Sequence, residues 1–206
     1  LRYIEETFDE KGLLKNLKIN CPEDFNFGYD IVDDIAVNDP DRRALVWQHE
    51  NGEERTFTFA EIKRMSDKTA NCLASHGIGK DDFVMVILKT KYQFWYTMVA
   101  LHKLGAVAIP ATNQLLEKDF TYRFQAGKVK AILCTADGEV STEAEKAAAG
   151  FPGMLKILVG GKKEGWNDFN VEMERFSTHY YRTESTPCGS DPMLMLFTSG
   201  TTGYPK

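Results

Sequence analysis

The sequence predicts an α/β protein built on a mainly parallel sheet with helices on both faces, truncated just as a second unit begins. Three observations carry this. Four short apolar runs, Phe83-Val84-Met85-Val86-Ile87-Leu88, Ala106-Val107-Ala108-Ile109, Ala131-Ile132-Leu133-Cys134 and Ile157-Leu158-Val159, recur along the chain. Stretches of helical length and spacing, residues 93–104, 117–125 and 139–149, separate them. The runs are continuously apolar rather than alternating, as expected of strands covered on both faces and joined by right-handed helical crossovers.

The remaining elements follow in order. Residues 1–30 mix charges with aromatic and aliphatic side chains without a long period, and read as an N-terminal arm packed on a larger body. Asp30-Ile31-Val32-Asp33-Asp34-Ile35-Ala36-Val37 places apolar residues at helical spacing and stops at the turn Asn38-Asp39-Pro40-Asp41. Residues 44–47 and 55–57 read as two strands of a hairpin turning at Asn51-Gly52. Thr58 caps the next helix, Glu61 completes a capping box, and the stripe Ile62, Met65, Ala70, Leu73 is buried before a stop at Gly77. Residues 31–182 thus form one α/β subdomain, closed by a short helix over 168–176. The breaker-rich segment 183–192 is a linker, and residues 193–206 supply the first strand and a loop of a second subdomain.

Composition removes several function classes. The 206 residues carry 25 basic and 30 acidic side chains, net −5, mixed along the chain, so no basic face is offered to nucleic acid. No apolar run reaches the length of a transmembrane segment, and the first 20 residues are too charged for a secretory signal. The compartment expected is the cytoplasm, with an organelle matrix left open. Cys21, Cys72, Cys134 and Cys188 lie more than fifty residues apart without a CxxC or a Cys/His ligand cluster, so free thiols and no metal site are expected. His49, His76, His102 and His179 are scattered, and none is assigned to catalysis.

The chemistry concentrates in the last nine residues, Thr198-Ser199-Gly200-Thr201-Thr202-Gly203-Tyr204-Pro205-Lys206, directly after the apolar run Met193-Leu194-Met195-Leu196-Phe197. That run reads as a buried strand, which places the loop at the carboxyl end of a sheet, where α/β proteins bind ligands. Two glycines let the backbone wrap closely around a guest, and successive N–H groups can converge on an anion. The hydroxyls of Ser199, Thr201 and Thr202 add donors, and Lys206 adds a point charge suited to phosphate oxygens. The pattern is not Gly-x4-Gly-Lys-[Ser/Thr], because Pro205 precedes the lysine.

This loop resembles the signature of the adenylate-forming superfamily, which includes acyl-CoA synthetases, peptide-synthetase adenylation domains and luciferases. Further segments, Phe25-Asn26-Phe27-Gly28, Thr58-Phe59-Ala60-Glu61-Ile62, Leu104-Gly105-Ala106-Val107-Ala108-Ile109-Pro110 and Tyr122-Arg123-Phe124-Gln125, resemble landmarks of its medium-chain acyl-CoA synthetase branch. The resemblance implies the N-terminal subdomain of the adenylate-forming fold, with Mg-ATP, CoA and a short- or medium-chain fatty acid as the reactants of the whole enzyme. It assigns Ser199, Gly200, Thr201, Thr202 and Gly203 to the β- and γ-phosphates, Thr198 and Thr202 to completing that shell, Tyr204 and Pro205 to the same loop, and Lys206 to charge neutralisation. It also suggests CoA contacts at Gln114 and Arg123, although helical spacing places Arg123 on the solvent side of its helix.

Members of the superfamily are at least twice this length, and their adenine pocket, acyl pocket, magnesium-binding glutamate and lid lysine all follow the loop. The chain, which starts at Leu1, is therefore expected to be an inactive N-terminal fragment with no catalytic residue of its own, a missing remainder of its own chain and a frayed terminal loop. Two other readings stand beside it: an adenylation domain for an aryl or amino acid, and a non-enzymatic α/β binding module. The aromatic run Gln93-Phe94-Trp95-Tyr96-Thr97-Met98 is read as helix packing rather than a ligand surface.

Overall fold

A computed structural model describes residues 3–198. Its centre is a five-stranded parallel sheet in the order β6-β5-β7-β8-β9, formed by β5 (Phe83–Ile87), β6 (Val107–Pro110), β7 (Val129–Thr135), β8 (Leu155–Val159) and β9 (Asn167–Asp168). The crossovers are α3 (Gln93–Leu104), α4 (Glu117–Ala126) and α5 (Val140–Ala148), within a residue or two of the spans expected from periodicity. The short closing helix, α6, spans Phe169–Met173.

Alternation along the strands divides the core in two. Val84, Val86 and Leu88 face one cluster with α2 (Phe59–Ser75), α3 and α6, whereas Met85 and Ile87 face the other with Phe120 and Phe124 of α4 and Ala144 of α5. Helices thus cover both faces, as the continuously apolar strands require. Thr58 and Glu61 form the expected capping box at the start of α2: the Glu61 N–H donates to Thr58 Oγ1 at 3.2 Å, and the Thr58 N–H donates to Glu61 Oε2 at 2.9 Å. The hairpin at Asn51-Gly52 is β3 (Arg43–Gln48) and β4 (Glu54–Thr58), tied to the end of β5 by Trp47 Nε1–H donating to the Thr90 carbonyl.

Three features depart from the sequence-based expectations. The arm contains an antiparallel hairpin, β1 (Ile4–Phe8) with β2 (Leu14–Ile19). Its strands alternate too weakly to read because both faces are largely exposed. The helix over residues 30–37 is two segments, a π-helical turn Gly28–Asp33 and then α1 (Asp34–Asn38). Met193 to Phe197 is not a buried strand but a rudimentary edge: the Ala108 N–H donates to Met193 O at 3.1 Å and the Met195 N–H to Ala108 O at 2.9 Å, with Leu194 bridged in parallel to Ala108. Leu196 is 62% exposed, because no described element covers the outer side of this edge.

The π-helical turn, α2 and α3 meet at a buried charge cluster. Lys103, 1% exposed, directs its three ammonium hydrogens to Asp33 Oδ1 (2.6 Å), Asp67 Oδ1 (2.6 Å) and Ser66 Oγ (3.2 Å). Lys63 sits 2.6 Å from Asp67 Oδ2 and 3.6 Å from Asp33 Oδ2, so two cations balance two carboxylates. Burial pushes the Asp33 carboxyl above its ordinary range, against the pull of Lys103. Beside this cluster Asn26 is fully buried, its amide donating to the carbonyls of Pro187 (2.9 Å) and His102 (3.2 Å) and its Oδ1 accepting the Gly28 N–H (3.0 Å). Gly28 leaves no room for a side chain, since a Cβ there would stand 2.8 Å from Lys103 Cγ. Gly105, at φ 79°, ends α3 in the left-handed region that Leu104-Gly105-Ala106 needs to turn into β6.

Removing the ammonium in Lys103→Met leaves two carboxylates to the single charge of Lys63, and the expected loss is about 3–5 kcal/mol of unfolding free energy in urea titration. An unchanged midpoint would mean that water reaches Asp33 and Asp67. Gly28→Ala is expected to cost about 1–3 kcal/mol through the same contact, measured in the same way.

Candidate functional site

The segment that leads to the loop runs beside β6. After Pro110 the chain crosses the sheet edge, where the Ala111 N–H donates to the Val86 carbonyl at 3.1 Å, and enters the segment that carries Gln114. Gln114 is exposed, its backbone N–H 3.3 Å from Thr112 Oγ1. Helix α4 then begins with the Leu116 N–H held by the Asp119 carboxylate at 3.1 Å, an acidic group placed favourably at a helix N-terminus. Its exposed side, with Glu143 of α5, borders an open cleft of about 660 Å³ lined by Leu116, Lys118, Thr121, Tyr122 and Gln125.

Arg123 is not on the solvent side of α4. It is half-buried: its Nη1–H donates to the Asp119 carbonyl at 3.1 Å, and its guanidinium carbon lies 5.4 Å from the centre of the Phe197 ring. The Tyr122 ring meets the same phenylalanine edge-on at 6.2 Å and 68°. The spacing rule misplaced Arg123 because Phe197, seventy-four residues further along the chain, returns to this helix. Met195 and Phe197 therefore pack into the α4/α5 side of the core, and the parallel bridge at Leu194 aims the chain toward the carboxyl edge. Thr198 emerges there, exposed, one residue beyond the Phe197 contact. Ser199, Gly200, Thr201, Thr202, Gly203, Tyr204, Pro205 and Lys206, together with the frayed loop expected of them, lie outside the described residues. Gln114 and Arg123 belong to the same stretch around α4 but have different neighbours, the first the Thr112 turn and the second Asp119 and Phe197.

The other face holds features the sequence reading passed over. Of the aromatic run on α3, Tyr96 is buried as expected, but Trp95 is 54% exposed and joins Phe94, Met98, His102, Phe27 and Leu194 in an apolar groove of about 380 Å³. His102 stacks on Phe27 at 6.3 Å, and burial depresses its pKa, so the groove carries no cation at neutral pH. The thiols also differ from a scattered set. Cys72 and His76, four residues apart at the C-terminal end of α2, meet Glu172 of α6 so that one ligand atom of each lies within 4.8 Å of the others. The signal was present as a Cys-x3-His spacing, which a helix places on one face, but Glu172 is supplied only by folding. Burial, then the neighbouring carboxylate, pushes the Cys72 thiol up to about 12, and a thiol held protonated is not a nucleophile.

A profile of the AMP-binding enzyme family matches residues 32–206, most of the chain. The chain belongs to the AMP-binding enzyme family. This family member is 33% identical to the mitochondrial acyl-coenzyme A synthetase ACSM4 of Rattus norvegicus, covering 97% of this chain and 35% of that protein. To the mitochondrial synthetase ACSM5 of Homo sapiens it is 35% identical, covering 90% of this chain and 33% of the relative. Among solved structures it is similar to an acyl-CoA synthetase of Brucella canis, with a TM-score of 0.76 at 25% identity over 91% of this chain and 33% of that one. The anthranilate CoA ligase AuaEII shares the fold, with a TM-score of 0.75 at 20% identity over 90% of this chain and 34% of that one. The family member thus spans about a third of the length of the curated relatives it matches. No helix among its described residues is long and apolar enough to cross a membrane.

Phe197 anchors the end of the edge segment on α4. Phe197→Ala is expected to raise amide exchange at Met195 about tenfold, which corresponds to ~1.4 kcal/mol of lost local stability. Unchanged protection at Met195 would show that the two backbone bonds to Ala108 suffice.

Proposed function

We propose that the chain is the N-terminal part of an AMP-forming acid–CoA ligase that activates a short- or medium-chain fatty acid. In this reading residues 1–30 form an arm, 31–182 a first subdomain and 183–192 a linker, while 193–206 open a second subdomain at the phosphate loop. The observation that carries it is the family match continuing through residue 206, so that the hydroxyl-rich glycine loop falls inside the matched region directly after the edge segment beside β6. Identity to acyl-coenzyme A synthetases over nearly the whole chain supports the acid–thiol ligase chemistry, and their mitochondrial names favour an organelle matrix over the cytosol for the parent.

The reaction has two displacements. A carboxylate oxygen of the acid attacks the α-phosphorus of ATP and the bond to the β-phosphate oxygen breaks, leaving an acyl-adenylate and pyrophosphate. The CoA sulfur then attacks the acyl carbon, AMP leaves, and the thiol proton passes to solvent. In the first step negative charge builds on the departing pyrophosphate, so fixed donors at its oxygens lower the barrier. The amides and hydroxyls of residues 199–203 would hold the β- and γ-phosphates, Thr198 and Thr202 would close the shell, Tyr204 and Pro205 would shape the turn, and Lys206 would neutralise charge. Gln114 and Arg123 would flank the path of the CoA arm, Arg123 with its guanidinium already held beside Phe197.

Magnesium does not fit the described residues here. Among them the group of three close metal-ligating side chains lies on the α2/α6 side of the sheet, whereas Met195 and Phe197 pack on the α4/α5 side.

Acid-dependent ATP–pyrophosphate exchange tests the reading. The 206-residue chain is expected to give none and its full-length parent to give exchange. In the parent, Lys206→Ala is expected to lower kcat/KM by about 100-fold or more, the cost of losing one donor to a developing charge. Exchange from the isolated chain, or a parent indifferent to Lys206→Ala, would overturn it.

A further inference from the structure

Glu172 Oε2 is a shared acceptor. It lies 2.8 Å from His76 Nε2 and 3.7 Å from Cys72 Sγ, so an imidazole N–H and a thiol S–H converge on one carboxylate oxygen. Two hydrogens bridging three ligand atoms occupy the space that one cation fills when the same atoms turn their lone pairs inward. We propose that Cys72, His76 and Glu172 form a binding site for a divalent cation of the zinc class, clamping α6 to the C-terminal end of α2 and leaving one coordination position open.

The dimensions suit that ion. Metal–ligand distances of about 2.3 Å to sulfur and about 2.0–2.1 Å to nitrogen and oxygen, at tetrahedral angles, separate the ligand atoms by roughly 3.3–3.6 Å. The sulfur–oxygen pair is already at 3.7 Å and the three ligand atoms lie within 4.8 Å of one another, so binding requires His76 to retreat by about half an ångström from its hydrogen bond and the three atoms to draw into that spacing. His76 lies at the surface end of the helix, with its side chain 27% exposed, while Cys72 is fully buried. Thiolate with imidazole selects zinc over magnesium or calcium, which prefer oxygen alone.

Charge and protons balance. The thiolate and the carboxylate contribute −2 against the cation's +2, so binding places no net charge beside the buried sulfur. The Cys72 proton leaves to solvent, and the His76 proton moves from Nε2 to Nδ1. The backbone holding the ligands is set independently of them. The Thr69 hydroxyl lies 3.3 Å from Met173 Sδ, Lys68 pairs with Glu174 at 3.5 Å, and the Asn71 amide donates to the carbonyls of Ser177 and His179 at 3.0 Å each. The two elements are therefore docked before a cation arrives, as a preformed site requires.

Cobalt(II) reports the site directly, since a thiolate ligand adds a sulfur-to-cobalt charge-transfer band absent from carboxylate or imidazole binding. The 206-residue chain, stripped with chelator and kept reduced, is expected to take up one equivalent of cobalt with that band and to lose the band when zinc is added. Cys72→Ser is expected to abolish the band. His76→Ala and Glu172→Gln, which alter partly exposed side chains and carry the test should Cys72→Ser fail to fold, are expected to weaken cobalt binding about tenfold or more. Cys21→Ser and Cys188→Ser are expected to leave the titration unchanged. A folded wild-type chain that shows no saturable band, or a band that follows Cys21 or Cys188 instead of Cys72, would overturn the site.

Discussion

The ammonium of Lys103 is the constraint on which the first face of this protein depends. A lysine with no contact with water is tolerated only when every hydrogen is accepted and its charge is matched, and here Asp33, Asp67 and Ser66 do both. Those three acceptors come from the π-helical turn and α2, while the lysine comes from α3, so the network can close in one relative arrangement of these elements. Apolar contact alone would allow the helices to slide. Hydrogen bonds of 2.6 Å to two separate carboxylates do not.

From that anchor the geometry of the sheet follows. Asn26 and Gly28 bring the arm against α3 and reach the Pro187 carbonyl, so the segment leading out of the subdomain is held beside the helix that precedes β6. Lys80 continues the tether, with its ammonium 3.0 Å from Asp191. The chain from 187 to 191 is thereby held next to β6, and Met193 and Met195 bond to its edge at Ala108. Phe197 then settles against Tyr122 and Arg123, and Thr198 is delivered at the carboxyl edge. Residues remote from any ligand chemistry thus determine where the glycine-rich loop starts.

The two faces of the sheet carry different duties. The α4/α5 side receives the edge segment and borders the open cleft along α4, which makes it the side toward which nucleotide and CoA chemistry is proposed. The α2/α3/α6 side holds the charge cluster, an uncharged apolar groove at Trp95 and Phe27, and the thiol–imidazole–carboxylate group. A cation bound at that group would lie on the face opposite Phe197, acting on the packing of α6.

The sequence by itself determined the sheet, because five-residue apolar runs such as Phe83–Ile87 satisfy only a strand with both faces covered, and it determined helix limits wherever the signal is local, as at Thr58 with Glu61 and at Gly105. It also singled out residues 198–206 as the candidate phosphate loop, since glycine and hydroxyl density over nine consecutive residues needs no partner to be read. Only the tertiary structure decided the interactions between distant positions. Lys103 reads as an ordinary lysine near a helix end and Asp67 as a surface acid, until α3 and the π-helical turn fold over them. Arg123 reads as solvent-facing until Phe197 arrives, and Cys72 and His76 lack a third ligand until α6 packs. A charge, a cation–ring contact and a ligand trio are each properties of a pair or a set of residues. Periodicity describes one segment at a time, so it carries no information about which segments meet.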